Sequence, residues 1–168
     1  MNTTRWTRGL ALATLFATAA FAAQAAEANP LADSVRQAND RFRDVAAATA
    51  EGYAPIACAS GVDGGGMGIH YVNAAYLGDD AVDLSKPEAV MYEPKADGSL
   101  ELIAVEYITL KGPAELQGHL FSFTNTPNRY GLPPFYELHV WAWKPNPHGA
   151  FADMNPDVSC DAVAVAAH

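Results

Sequence analysis

Four ionisable side chains stand out because each falls on an alternating, largely apolar stretch: His70, Glu106, Glu137 and His139. In a strand, successive side chains point to opposite faces. Residues 135–144 therefore place Phe135, Glu137, His139, Trp141 and Trp143 on one side, and Tyr136, Leu138, Val140 and Ala142 on the other. The second set is an ordinary core face. The first joins two tryptophans, costly to leave in water, to an acid and an imidazole that need partners when buried. Such a face suits the wall of a cavity. His70 shares its face with Gly68 and Val72, where the glycine is expected to leave open space. Glu106 alternates with Leu102, Ala104, Ile108 and Leu110. Two imidazoles with one or two carboxylates form a donor set for one divalent metal ion, whether zinc, iron or copper. His70, His139 and Glu106 are the expected ligands, with Glu137 as fourth ligand or as support behind them. No His-x-His or His-Glu-x-x-His occurs, so the fold alone must bring them together. The competing expectation is structural: buried histidines paired with neighbouring carboxylates.

A second reading uses the same wall without metal. Trp141, Trp143, Phe135 and Tyr71 would stack a small apolar or aromatic ligand, and the histidines would fix its polar end. A third reading has no small-molecule site and acts through the protein surface. Other chemistry lacks its residues. There is no Gly-x-Ser-x-Gly elbow, and the glycine-rich run at 61–66 is not followed by Gly-Lys-Ser/Thr. Asp79, Asp80 and Asp83 read as a solvated acidic loop, and His119 and His148 as loop residues outside the pocket. No catalytic signature is present, so reaction, substrate and oligomeric state stay unassigned.

The elements that must position these residues follow from pattern. Residues 32–50 predict a helix, with Val35, Ala38, Phe42, Val45 and Ala46 at three- and four-residue steps, stopped by Gly52 and Pro55. Strands are predicted at 67–72, 89–94, 100–110, 120–124 and 135–144, the second and third joined by a turn carrying Asp97-Gly98. The sum is an α+β domain: an N-terminal helix packed on an antiparallel sheet, or partly closed barrel, of about five strands. The tail at 161–168 is expected to fray.

Arg5 and Arg8, the apolar run at 9–23 and Ala23-Gln24-Ala25 predict a signal peptide over residues 1–25, removed to leave one globular domain at 26–168. That remainder has eight basic against nineteen acidic residues, a net charge of −11, which disfavours nucleic acid and anionic membrane surfaces as partners. It is expected to be periplasmic or secreted, with no membrane attachment after signal removal. Its partners would be a small molecule or a metal ion. In such an oxidising compartment, the pair Cys58 and Cys160 is expected to form a disulfide.

The stretches Met67-Gly-Ile-His-Tyr-Val-Asn73, Pro87-Glu-Ala-Val-Met-Tyr-Glu-Pro94, Val105-Glu-Tyr107 and Phe135-Tyr-Glu-Leu-His-Val-Trp-Ala-Trp-Lys144 resemble a family of small exported bacterial proteins. So do Asn146-Pro, Gly149-x-Phe151-Ala-Asp and Asn155-Pro-x-Val-Ser-Cys160. The resemblance implies export and a single domain, and carries no activity.

Overall fold

A computed structural model describes residues 29–61 and 64–166. The signal-peptide expectation lies outside the described residues, as do Val62 and Asp63 of the glycine-rich loop.

The chain opens with α1 (Pro30–Asn39), whose N-terminus is capped by the Asn29 side chain accepting from the Ala32 amide at 3.1 Å. The single helix predicted over 32–50 is broken. A 3₁₀ turn (Asp40–Arg43) follows α1, and Asp44, in extended conformation, caps a second short helix, α2 (Val45–Ala50). Asn39, Asp40 and Asp44 explain the break, since such side chains bond locally to backbone and compete with helix. Asn39 bonds the carbonyls of Val35 and Leu84, and Asp44 bonds the Ala46 amide.

Nine strands follow among the described residues, some only two residues long: β1 (Ala54–Pro55), β2 (Ala59–Ser60), β3 (Gly66–Val72), β4 (Ala89–Pro94), β5 (Leu100–Thr109), β6 (Glu115–Leu116), β7 (His119–Leu120), β8 (Ser122–Thr124) and β9 (Phe135–Val140). A one-turn helix, α3 (Ala74–Leu77), lies between β3 and β4, and α4 (Asp161–Ala166) follows Cys160. The main sheet is antiparallel in the order β1-β3-β4-β5-β9-β8, with β2 also pairing β3 and β6-β7 forming a separate hairpin. It is an α+β fold with an open sheet; the barrel alternative does not occur. The tail expected to fray contains α4.

The helices cover one face of the sheet. Leu31, Val35, Phe42 and Tyr53 pack there on Val90, Tyr92, Leu102, Val105, Tyr107, Leu138 and Val140. The opposite face carries Met67, Met91, Ile103, Ala104 and Trp141 and is covered by irregular segments that include Met154 and Val158. A bulge in β5 sets this division. Met91 pairs with Ala104 and Tyr92 with Leu102, so Ile103 is the extra residue and joins Ala104 on the second face. Leu102 therefore turns to the helix face, away from Glu106, contrary to simple alternation. Gly68 lies against this irregularity with φ +82°, and a Cβ there would stand 2.4 Å from the Tyr92 carbonyl oxygen. The open space expected beside His70 is in fact the close approach of β4 backbone.

Cys58 and Cys160 are disulfide-bonded across 102 positions. Glu88, just before β4, is buried; its Oε2 accepts from the Ile108 amide at 2.7 Å while Oε1 has no partner. Burial pushes its carboxyl up to about 8, against the opposing bond from Ile108. Among the described residues no helix is long and apolar enough to cross a membrane.

Candidate metal centre

The second sheet face brings together His70, Glu106, Glu137 and His139. His70 lies on β3, Glu106 on β5, and Glu137 and His139 on β9. Glu106 and His139 are direct cross-strand partners. Ala89 on β4 stands opposite both Glu106 and Val72, and its small side chain lets His70 and Glu106 meet over the intervening strand.

All four residues are buried. His70 Nε2 is 3.4 Å, and His139 Nε2 3.6 Å, from Glu106 Oε2. Neither contact of Glu106 with an imidazole is an aligned hydrogen bond, and the buried ring nitrogens of His70 have the Gly68 backbone as a neighbour but make no aligned hydrogen bond. Burial first, then the charge of Arg129, push the His70 pKa well below its ordinary value, so the imidazole is neutral. Burial likewise raises Glu106 well above the carboxylate range, opposed by Arg129 and assisted by a hydrogen bond to Glu137. For Glu137 burial acts the same way but is outweighed. The bond with Glu106, the charge of Arg129 and the Thr124 hydroxyl at 2.5 Å hold it at about 2.

Sequence reasoning missed the groups that close this centre. Arg129, on the loop between β8 and β9, places Nη2 2.5 Å from Glu106 Oε1, against Glu137 Oε2 and 3.4 Å from His139 Nε2. Its neighbour Tyr130 donates to Glu106 Oε2. Burial opposes the arginine's charge, but the two carboxylates and Tyr130 hold it protonated above its usual range. Asn128 organises the loop, bonding the carbonyls of Asn125 and Leu132 and the amides of Tyr130 and Leu132. The signal available in the sequence was scarcity. Arg129 is the one basic residue between Lys111 and Lys144, immediately before the strand bearing Glu137 and His139, and buried acids need a cation.

The four aromatic residues proposed as a pocket wall are not gathered. Phe135 is buried with its ring 5.8 Å from Tyr130, beside the centre. Trp141 is buried with Met67, Met91 and Ile103. Tyr71 packs on Tyr92 at 5.0 Å and belongs to the helix face. Trp143 joins that same face, its Nε1 donating to Asp40 at 3.0 Å. Two surface clefts lie elsewhere, one beside Ser60, Gly65 and Cys160, the other beside Glu93, Lys95 and Asp161. His148 is exposed as expected, whereas His119 is half-buried in β7 and stacks on Phe151 at 4.2 Å.

The ligand atoms of His70, Glu106 and His139 all lie within 4.8 Å of one another, as do those of Glu137, His139 and Asp153. The first group could hold a metal ion. Compared with known protein families, curated proteins and solved structures, the chain matches none of them.

Proposed function

We propose that this is an exported protein, periplasmic or secreted, whose functional centre binds one divalent metal ion through His70, His139 and Glu106, with Glu137 as fourth ligand. The observation that carries this reading is the buried convergence of His70, Glu106 and His139, whose ligand atoms lie within 4.8 Å of one another with no aligned hydrogen bond joining either imidazole to the carboxylate. Buried polar groups are nearly always satisfied, and each exception calls for an explanation, a bound ion being one. Spacing supports an ion here. Bonds of about 2.0–2.1 Å to a tetrahedral ion place neighbouring ligand atoms about 3.4 Å apart. The separations from Glu106 Oε2 are 3.4 Å to His70 and 3.6 Å to His139, too long for good hydrogen bonds and right for adjacent ligands.

The donor set narrows the ion. Neutral imidazole with carboxylate suits zinc or ferrous iron, whereas calcium and magnesium prefer oxygen alone. Copper, which also accepts imidazole, stays the third choice. Arg129 Nη2 now fills the space between the two carboxylates, so loading exchanges one cation for another. The ion can act as a Lewis acid toward a bound carbonyl or water. The disulfide fits the oxidising compartment that export implies.

The test is metal analysis of untagged protein exported from cells expressing the full sequence. About one equivalent of zinc or iron per chain is expected, falling sharply in His70→Ala and His139→Ala and unchanged in the exposed control His148→Ala. A wild-type protein that neither carries nor takes up zinc, ferrous iron or copper, with melting temperature lowered in both histidine variants, would make the cluster a structural one.

A further inference from the structure

His139 can serve an ion through Nε2 only if the ring's proton sits on Nδ1. We infer that Asp153 fixes that arrangement: its carboxylate receives the Nδ1–H and orients the imidazole toward the centre, making Asp153 a positioning residue. As a claim about metal affinity this rests on the reading above; as a claim about the imidazole it does not.

Two independent contacts define the tautomer. Arg129 Nη2 lies 3.4 Å from His139 Nε2. A guanidinium nitrogen can only donate, so this contact requires a lone pair on Nε2 and leaves the ring proton to Nδ1. That nitrogen is buried and makes no aligned hydrogen bond, yet it faces Asp153 Oδ1 at 3.4 Å. Metal-binding histidines almost always donate their second ring N–H in this way, to a carboxylate or a carbonyl.

Asp153 is half-exposed, but its backbone is held. The chain returns past the end of β9 with Trp141 N donating to the Ala150 carbonyl at 2.9 Å and Trp141 Nε1 donating to the Ala152 carbonyl at 2.5 Å. Asn146 Nδ2 donates to the Met154 carbonyl at 3.0 Å. Three alternate carbonyls are thus clamped inward, and the residues between them are presented differently: Phe151 to His119, Asp153 to His139. Trp141, read from the sequence as a pocket wall, is on this account the anchor of the orienting segment. Glu137, His139 and Asp153 could instead hold a second ion of their own, and stoichiometry separates that arrangement from this one.

The experiment has two arms. In metal-free, ¹⁵N-labelled protein near neutral pH, two-bond ¹⁵N–¹H correlation spectra report the His139 tautomer. Wild type should show the proton on Nδ1, Asp153→Ala a mixture, and Asp153→Asn, whose Oδ1 still accepts, the wild-type pattern. In zinc titration, Asp153→Ala should bind about 10–100-fold more weakly, with Asp153→Asn recovering part of the loss. The metal-free melting temperature should be unchanged in both. A wild-type proton on Nε2, or an Asp153→Ala variant with unaltered tautomer and zinc affinity, overturns the inference. Two zinc ions per wild-type chain falling to one in Asp153→Ala overturns it in favour of a second ion. If wild type binds no zinc, the ion reading fails while the spectra still decide whether Asp153 orients His139.

Discussion

Replacing Glu88 by Gln should flatten the pH dependence of stability above pH 5. Glu88 is buried, and its carboxyl rises from an ordinary 4.5 to about 8 chiefly because burial penalises the charge. Between those values the folded chain holds a proton that the unfolded chain has released. Stability therefore falls as pH rises, by up to 1.36 kcal/mol per pH unit for this group. The contribution is fully present below pH 4.5 and is lost through pH 8, amounting to about 5 kcal/mol over the window. Glutamine keeps the acceptor for the Ile108 amide. It places an N–H₂ where Oε1 has no partner, as the protonated acid places its hydroxyl, so the variants should agree within about 1 kcal/mol near pH 5. Glu106, also raised by burial, contributes a slope of the same sign in both proteins and cancels in the difference. Urea unfolding at pH 5, 6, 7 and 8 is the assay. The Glu88→Gln protein should become the more stable of the two by several kcal/mol at pH 8. Parallel curves across the range would show that Glu88 is ionised in the fold at little cost, and would refute the argument from burial.

Arg129→Met should cost about 3–5 kcal/mol in metal-free protein, because Glu106 and Glu137 lose the cation between them. One equivalent of zinc should restore most of that loss in thermal melts, and a zinc-insensitive deficit would count against the ion. The double change Cys58→Ala, Cys160→Ala should lower stability by about 4.7 kcal/mol in denaturant titration, the chain-entropy value for a loop of this length. Unchanged stability would mean that the long loop is already constrained in the unfolded chain.

The strands were legible wherever period two ran unbroken. Residues 89–94 form β4 as read, and the 135–139 alternation correctly set Phe135, Glu137 and His139 on one face. The reading failed where backbone chemistry interrupts the period. At the end of β9 a tight turn closes, with Ala142 N donating to the Val140 carbonyl at 3.0 Å, and both Trp143 and Lys144 amides turn to Ile103. Trp143 is thereby carried round to the helix face, and no hydropathy pattern announces that. The bulge at Ile103 is equally silent, since Leu102, Ile103 and Ala104 are all apolar and any of them could be the extra residue. Ligand convergence across β3, β5 and β9 depends on strand order, which no spacing encodes. Arg129 and Asp153 were overlooked because both sit in loops, where a charged side chain is ordinarily solvated.

The bond between Cys58 and Cys160 also imposes an order of events in time. A chain that emerges N-terminus first presents its second cysteine 102 positions after its first, about 5–20 s later at ordinary rates of synthesis. His70 emerges early, while His139 and Asp153 belong to the last third of the sequence. The bridge between Gly66 and Asn155 likewise joins an early strand to a late turn. Neither the covalent clasp nor the buried cluster can exist on a half-made chain. An ion at the proposed centre can therefore bind only after synthesis has passed His139, never to a half-made chain.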